Sequence, residues 1–234
     1  MKNGEHRHLI THHKPKSPIA EAYRTLRTNI HFSGMDNPFK TILVTSAGTE
    51  EGKSTTLANL AVAIAQTGMQ VLIIDCDLRK PVQHKVFELP NKQGLTNILV
   101  EQLPLESAVQ FTRVNNLSVL TSGPIPPNPS ELLGCERMKG LLQQLKNKYD
   151  TVLIDSPPTV AVTDAAVLSA QVDGVILVLR SGVAKIDMAK QAKEQIEKAN
   201  GKIIGTVLYG VNYSGEDYQY YYYYGEKKGR KVHA

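Results

Sequence analysis

A short apolar run, Thr41-Ile42-Leu43-Val44-Thr45, leads straight into Ala47-Gly48-Thr49-Glu50-Glu51-Gly52-Lys53-Ser54-Thr55. No other stretch limits the fold as much. A buried strand, a Gly-Lys-Ser turn and a following helix together wrap backbone N–H groups around phosphate. The spacing follows G-x-x-x-x-G-K-[ST], with Ala47 at the first glycine position. Gly52 lets the backbone approach an anion closely, and a helix starting near Lys53 adds its positive end. Gly48, Thr49, Glu50, Glu51, Gly52, Lys53, Ser54 and Thr55 are the expected nucleotide-binding residues, with Lys53 on the terminal phosphates and Ser54 on Mg²⁺.

The rest of the chain alternates in the same way. Ser17 and Pro18 suit the N-cap and first position of a helix over 17–33, with Ala22, Leu26, Asn29 and Ile30 on one side and Glu21, Arg24 and Arg27 on another. A helix is expected over 53–66, ending at Gly68. Buried strands are expected at 71–74, 117–120, 151–154, 175–179 and 203–208. Further helices are expected over 95–100, 105–110, 130–146, 163–170 and 187–199, with an extended Pro-rich loop over 124–129. The residues from Asp75 to Gln93 read as a polar stretch. Short apolar strands alternating with helices mean an α/β fold, with a mainly parallel β-sheet and helices on both faces.

Two more of these strands end in carboxylates. One delivers Asp75-Cys76-Asp77-Leu78-Arg79, the other Asp155-Ser156-Pro157-Pro158. Ligands of parallel sheets bind outside the carboxyl ends of the strands, so Asp75, Asp77 and Asp155 should converge on the phosphate loop. Three carboxylates together are costly without a cation. Mg²⁺ supplies one and needs only one or two carboxylates beside water and phosphate oxygens. The fold class is therefore a P-loop NTPase.

Composition bounds the remainder. The chain has 234 residues, 41% hydrophobic and 21% charged, enough for one large domain. Its net charge of +5 sits largely at the ends. Residues 1–16 hold four basic groups and one acid, while 17–212 are close to neutral, which does not suit a dedicated nucleic-acid binder. Residues 1–16 read as a flexible, solvated basic tail, including His6, His8, His12 and His13. The domain proper is expected over 17–212, with a flexible tyrosine-rich tail over 213–234. Cys76 and Cys135 fit a reduced cytosolic protein rather than a disulfide scaffold. No apolar run reaches the roughly 18 residues of a membrane helix.

These motifs together resemble the bacterial protein-tyrosine kinases that control exopolysaccharide and capsule synthesis. Ile73-Ile74-Asp75-Cys76-Asp77-Leu78-Arg79-Lys80-Pro81 is similar to that family's Walker A′ motif, and Val152-Leu153-Ile154-Asp155-Ser156-Pro157-Pro158 to its Walker B. Ser122-Gly123-Pro124-Ile125-Pro126-Pro127-Asn128-Pro129-Ser130-Glu131-Leu132-Leu133 is also typical of it. Glu21, Arg24 and Arg27 match its E-x-x-R-x-x-R motif, associated with subunit contacts. Tyr213, Tyr218, Tyr220, Tyr221, Tyr222, Tyr223 and Tyr224 match its autophosphorylation tail. The family often has Pro-Gly where this chain has Thr49-Glu50.

The resemblance implies an ATP-dependent tyrosine kinase with Lys53, Asp75, Asp77 and Asp155 as catalytic residues. Mg²⁺ would be held by Ser54, Asp77 and Asp155. Either Asp75 or Asp77 would take the proton of the incoming tyrosine, Asp75 being favoured. The resemblance also implies a homo-oligomeric ring whose subunits phosphorylate each other's tails in trans. It implies protein substrates and a separate membrane-anchored activator that recruits the cytoplasmic kinase to the inner face of the membrane. The competing reading is a MinD/ParA-like partitioning or septum-placing switch ATPase. Those carry a further lysine five residues before the loop lysine, where this chain has Gly48.

Overall fold

The computed structural model of the chain describes residues 9–212. Seven strands form one sheet in the order β3-β4-β2-β5-β1-β6-β7. They are β1 (Thr41–Ser46), β2 (Val71–Asp75), β3 (Val109–Phe111), β4 (Leu117–Leu120), β5 (Thr151–Asp155), β6 (Gly174–Arg180) and β7 (Ile203–Tyr209). All neighbours run parallel except the short edge strand β3, which lies antiparallel to β4. The helices are α1 (Ile10–His13), α2 (Pro18–Ser33), α3 (Lys53–Ala65), α4 (Gln83–Val86), α5 (Leu95–Glu101), α6 (Leu105–Ala108), α7 (Pro129–Gly134), α8 (Glu136–Lys148), α9 (Asp164–Ser169) and α10 (Ile186–Lys198).

Side chains alternate across each central strand and are buried on both faces, as helices above and below a parallel sheet require. Leu43, Leu72, Ile74, Val152 and Ile154 pack on one face with α5, α8 and α9. Ile42, Val44, Val71, Ile73 and Leu153 pack on the other against α3, which is buried from Thr56 to Ala65. Only a helix covered all round can be this uniformly apolar.

The structure departs from the sequence expectations at five places. Residues 9–13 are not a solvated tail. Leu9 and Thr11 are buried, the Thr11 N–H donates to Asn59 Oδ1 at 3.0 Å, and Gln66 donates to the Thr11 carbonyl at 3.3 Å. His12 and His13 are exposed, while residues 1–8 lie outside the described residues. On α2 the Ser17 cap is as expected, its Oγ accepting from Ala20 N at 3.1 Å. The inward stripe, however, is Ala20, Tyr23, Leu26 and Ile30, and both Ala22 and Asn29 are exposed. Helix 105–110 stops at Ala108 because Val109–Phe111 pair with β4 instead. The single helix expected over 130–146 is two, broken where Cys135 turns extended at ψ 156°. Within the polar stretch, α4 forms a single turn.

Candidate active site

The sheet order places β5 between β1 and β2, so the three motif-bearing strands are adjacent. Register pairs Asp75 with Asp155 and Val44 with Asp155. The carboxylates at the strand ends are thus brought together by ladder geometry, with neighbouring strands about 4.8 Å apart.

Beyond β1, the loop from Ala47 to Gly52 turns into α3. Gly52 sits at φ +88°, the left-handed region that costs a residue with a β-carbon about 1–2 kcal/mol. The Tyr209 ring at the end of β7 lies so close that a β-carbon on Gly52 would come within 2.5 Å of it. Glu50 also has positive φ, 60°, and its carbonyl accepts from Arg180 at 3.2 Å. Thr49 and Glu50 are exposed. Glu51 is buried and folds back, one carboxylate oxygen accepting from Ala47 N at 3.2 Å. Burial raises its pKa, against the loop's own N–H groups at Gly48 and Ala47. The N–H groups of this turn thus point toward an acceptor, the arrangement an anion-binding nest uses.

Lys53 stands at the centre. Its Nζ is 3.0 Å from Asp77 Oδ2, 3.3 Å from Asp155 Oδ1 and 3.1 Å from Ser54 Oγ. Desolvation opposes the charge on this ammonium, but Asp155 and Asp77 outweigh it and its pKa is raised. Asp75 is fully buried and engages backbone alone: Oδ1 accepts from Asp77 N at 3.3 Å, and Oδ2 from Val82 N at 3.0 Å and Gln83 N at 2.9 Å. Burial, and then the neighbouring Asp155 charge, push its pKa up to about 8.

The sign of that shift gives a pH dependence. An unfolded Asp titrates near 3.9. Between about pH 4 and about pH 8 the fold therefore holds a proton that the unfolded chain has released, and stability falls as pH rises through that window. Denaturant midpoints at pH 5 and pH 8 should differ in this direction in the wild-type chain and less in Asp75→Asn. An equal pH dependence in both would remove Asp75 as the cause.

Sequence reasoning missed three parts of this site. Arg79 grips the buried Asp164 at the start of α9 with two bonds, Nε at 2.9 Å and Nη2 at 3.0 Å. Ser130 Oγ, at the end of the Pro-rich loop, joins the same carboxylate at 2.5 Å. Gln83 donates to Asp155 Oδ2 at 2.7 Å. Tyr209 buttresses Gly52. Arg79 carried a signal, being part of a motif, but its partners are distant in sequence.

Of the other expected residues, Thr55 lies in the first turn of α3 and Gly48 in the loop. Glu21 is exposed and pairs with Arg24 at 2.6 Å, while Arg24 also donates to the Pro15 carbonyl. Arg27 turns inward, donating to the Ala63 carbonyl of α3 at 2.8 Å. The tail tyrosines from Tyr213 to Tyr224 lie outside the described residues. No helix among the described residues is long and apolar enough to cross a membrane.

Residues 39–204 match the AAA domain family. The chain is 46% identical to tyrosine-protein kinase YwqD of Bacillus subtilis over 94% of its own length and 92% of that protein. It is 39% identical to tyrosine-protein kinase CpsD of Streptococcus agalactiae, covering 90% and 91% of the two chains. The crystal structure of the chimerical protein CapA2B2 superposes with a TM-score of 0.83 at 44% identity, covering 86% of this chain and 88% of that one. With a phosphate loop and acidic strand ends assembled on a P-loop NTPase sheet, and relatives of this closeness along nearly the whole chain, the protein belongs to the bacterial tyrosine-protein kinases.

Proposed function

We propose that this kinase uses Mg²⁺-ATP to phosphorylate the tyrosine cluster Tyr213–Tyr224 of a neighbouring copy, and that it regulates exopolysaccharide or capsule synthesis. The observation that carries the reading is the Lys53 ammonium, shared between Asp77 and Asp155 beside the Ser54 hydroxyl. That ammonium turns to the terminal phosphates when nucleotide enters, and the loop N–H groups from Gly48 to Thr55 hold the others. Ser54, Asp77 and Asp155 are the oxygen ligands within reach of one cation, a set that fits Mg²⁺, which keeps waters and phosphate oxygens for its other positions. Mg²⁺ supplies neutralisation of charge on the transferring group. Asp75 takes or orients the phenolic proton. Three backbone N–H groups, those of Asp77, Val82 and Gln83, hold its carboxylate in place.

Glu21 and Arg24 form the exposed part of a ring contact, with Arg27 holding α2 on α3 behind them. A segment rich in tyrosine suits entry into a neighbour's site, and each added phosphate of about −1.5 to −2 charge loosens it again. A membrane-anchored partner recruits and activates the kinase at the inner face of the membrane.

The test is intact mass with peptide mapping after incubation with Mg²⁺-ATP at high protein concentration, with an activator tail fused or added. Successive phosphates on Tyr213–Tyr224 support the proposal. ATP hydrolysis with no phosphotyrosine would favour a switch ATPase. Light scattering tests the ring: Glu21, Arg24 and Arg27 changed together to Ala should give a smaller species, and an unchanged mass would sink the contact. Changing Arg27 alone should lower thermal stability more than changing Glu21 and Arg24, because only its bond reaches a buried carbonyl.

A further inference from the structure

One buried side chain reaches every motif of the site yet belongs to none of them. Gln83 opens α4 and is fully buried. Its Nε2 donates to Asp155 Oδ2 at 2.7 Å and to the Ser54 carbonyl at 3.3 Å. Its backbone N–H donates to Asp75 Oδ2 at 2.9 Å. The two side-chain partners are a carboxylate and a carbonyl, which only accept. Chemistry therefore fixes the amide with its NH₂ toward them. The carbonyl oxygen Oε1 then faces elsewhere, and it is buried with no hydrogen-bond partner. Native structures rarely leave such an acceptor unmatched unless a water, an ion or a function uses it.

The two holds on Asp155 differ in kind. Oδ1 is held by the Lys53 ammonium at 3.3 Å, on a flexible stem that is free to leave for a phosphate. Oδ2 is held by an amide locked beneath α4. Once Lys53 leaves, Oδ1 is released while the plane of the carboxylate stays fixed.

We propose that Gln83 is a positioning residue for the cation site: it holds Oδ2 of Asp155 so that Oδ1 faces Ser54, and it offers Oε1 to a water of the loaded site. This rests on the reading of Ser54 and Asp155 as Mg²⁺ ligands. Gln83 also ties the Asp155 carboxylate to the Asp75 carboxylate through one residue, so cation binding and the proton-accepting group share a support.

The experiment measures binding of a fluorescent ADP analogue to the full chain, from EDTA through saturating Mg²⁺, for wild type, Gln83→Leu and Gln83→Met. Both variants keep the side-chain bulk; the unbranched methionine guards against a leucine that fails to pack. The variants should bind nucleotide in EDTA as the wild type does, because the loop N–H groups are untouched. The Mg²⁺ concentration for half-maximal enhancement should rise about 10–100-fold, the usual effect of removing a partner behind a metal ligand. A residue serving only the fold would weaken binding equally with and without Mg²⁺. That result, or an unchanged Mg²⁺ requirement in a folded variant, overturns the proposal. A wild type whose nucleotide affinity ignores Mg²⁺ overturns the reading of the cation site as well.

Discussion

Lys53→Met is expected to abolish tail phosphorylation, with a loss of roughly 10²–10³-fold or more, the scale for removing one group that stabilises transition-state charge. Its second effect is on the unliganded fold. Lys53 is the cation that Asp77 and Asp155 share, at side-chain exposures of 12%, 6% and 0%. Breaking such a pair leaves uncompensated charge, and the loss should be about 2–4 kcal/mol near pH 8. Intact mass after Mg²⁺-ATP reads the first effect and thermal melts across pH the second. Normal autophosphorylation in this variant would refute the phosphate-loop assignment. A melting temperature that is unchanged at every pH would show that the carboxylates do not depend on Lys53.

Asp164→Ala should be strongly damaging although it lies outside the phosphate loop. The Asp164 carboxylate is fully buried and receives two bonds from Arg79 and one from Ser130. Arg79 itself is 40% exposed on its side chain, so solvent recovers part of its charge. A loss of about 2–3 kcal/mol is expected after that discount. For a chain of this size that is a fall of roughly 5–10 °C in Tm. Arg79→Ala and Asp164→Ala should be strongly non-additive, because each already removes the same pair. Additive effects in that double-mutant cycle would mean that the network contributes nothing as a unit. The clamp also joins the Walker A′ segment to the Pro-rich loop, so nucleotide affinity should fall together with stability.

The contrast between what was and was not legible follows from where each interaction lives. Thr41–Thr45, Val71–Ile74 and Val152–Ile154 are strands buried on both faces, so their near-continuous apolar runs identify them without tertiary knowledge. Gly52, Lys53 and Ser54 are contiguous, and the turn they make is local. Convergence of Asp75, Asp77 and Asp155 followed from the rule for parallel strand ends. Gln83 is another matter. It lies in a polar stretch with no periodicity, and its partners are 29 and 72 residues away. The bond from Arg27 to Ala63 likewise reverses a residue that a helical wheel places outward, because a long side chain can bend to a free carbonyl. Residues 9–13 are too few to show a pattern, and their docking shows only in the bonds to Asn59 and Gln66 and in the burial of Leu9 and Thr11.

The Tyr209 ring on Gly52 has a consequence for how the protein is made. A ribosome emits the phosphate motif early and the last strand late. While β7 is still to come, β6 is a raw edge and the turn at Gly52 lacks the aromatic face that closes over it. A nascent chain thus carries every letter of the phosphate motif well before it has a finished phosphate site. The turn at Gly52 gains its aromatic cover only once Tyr209 has been made.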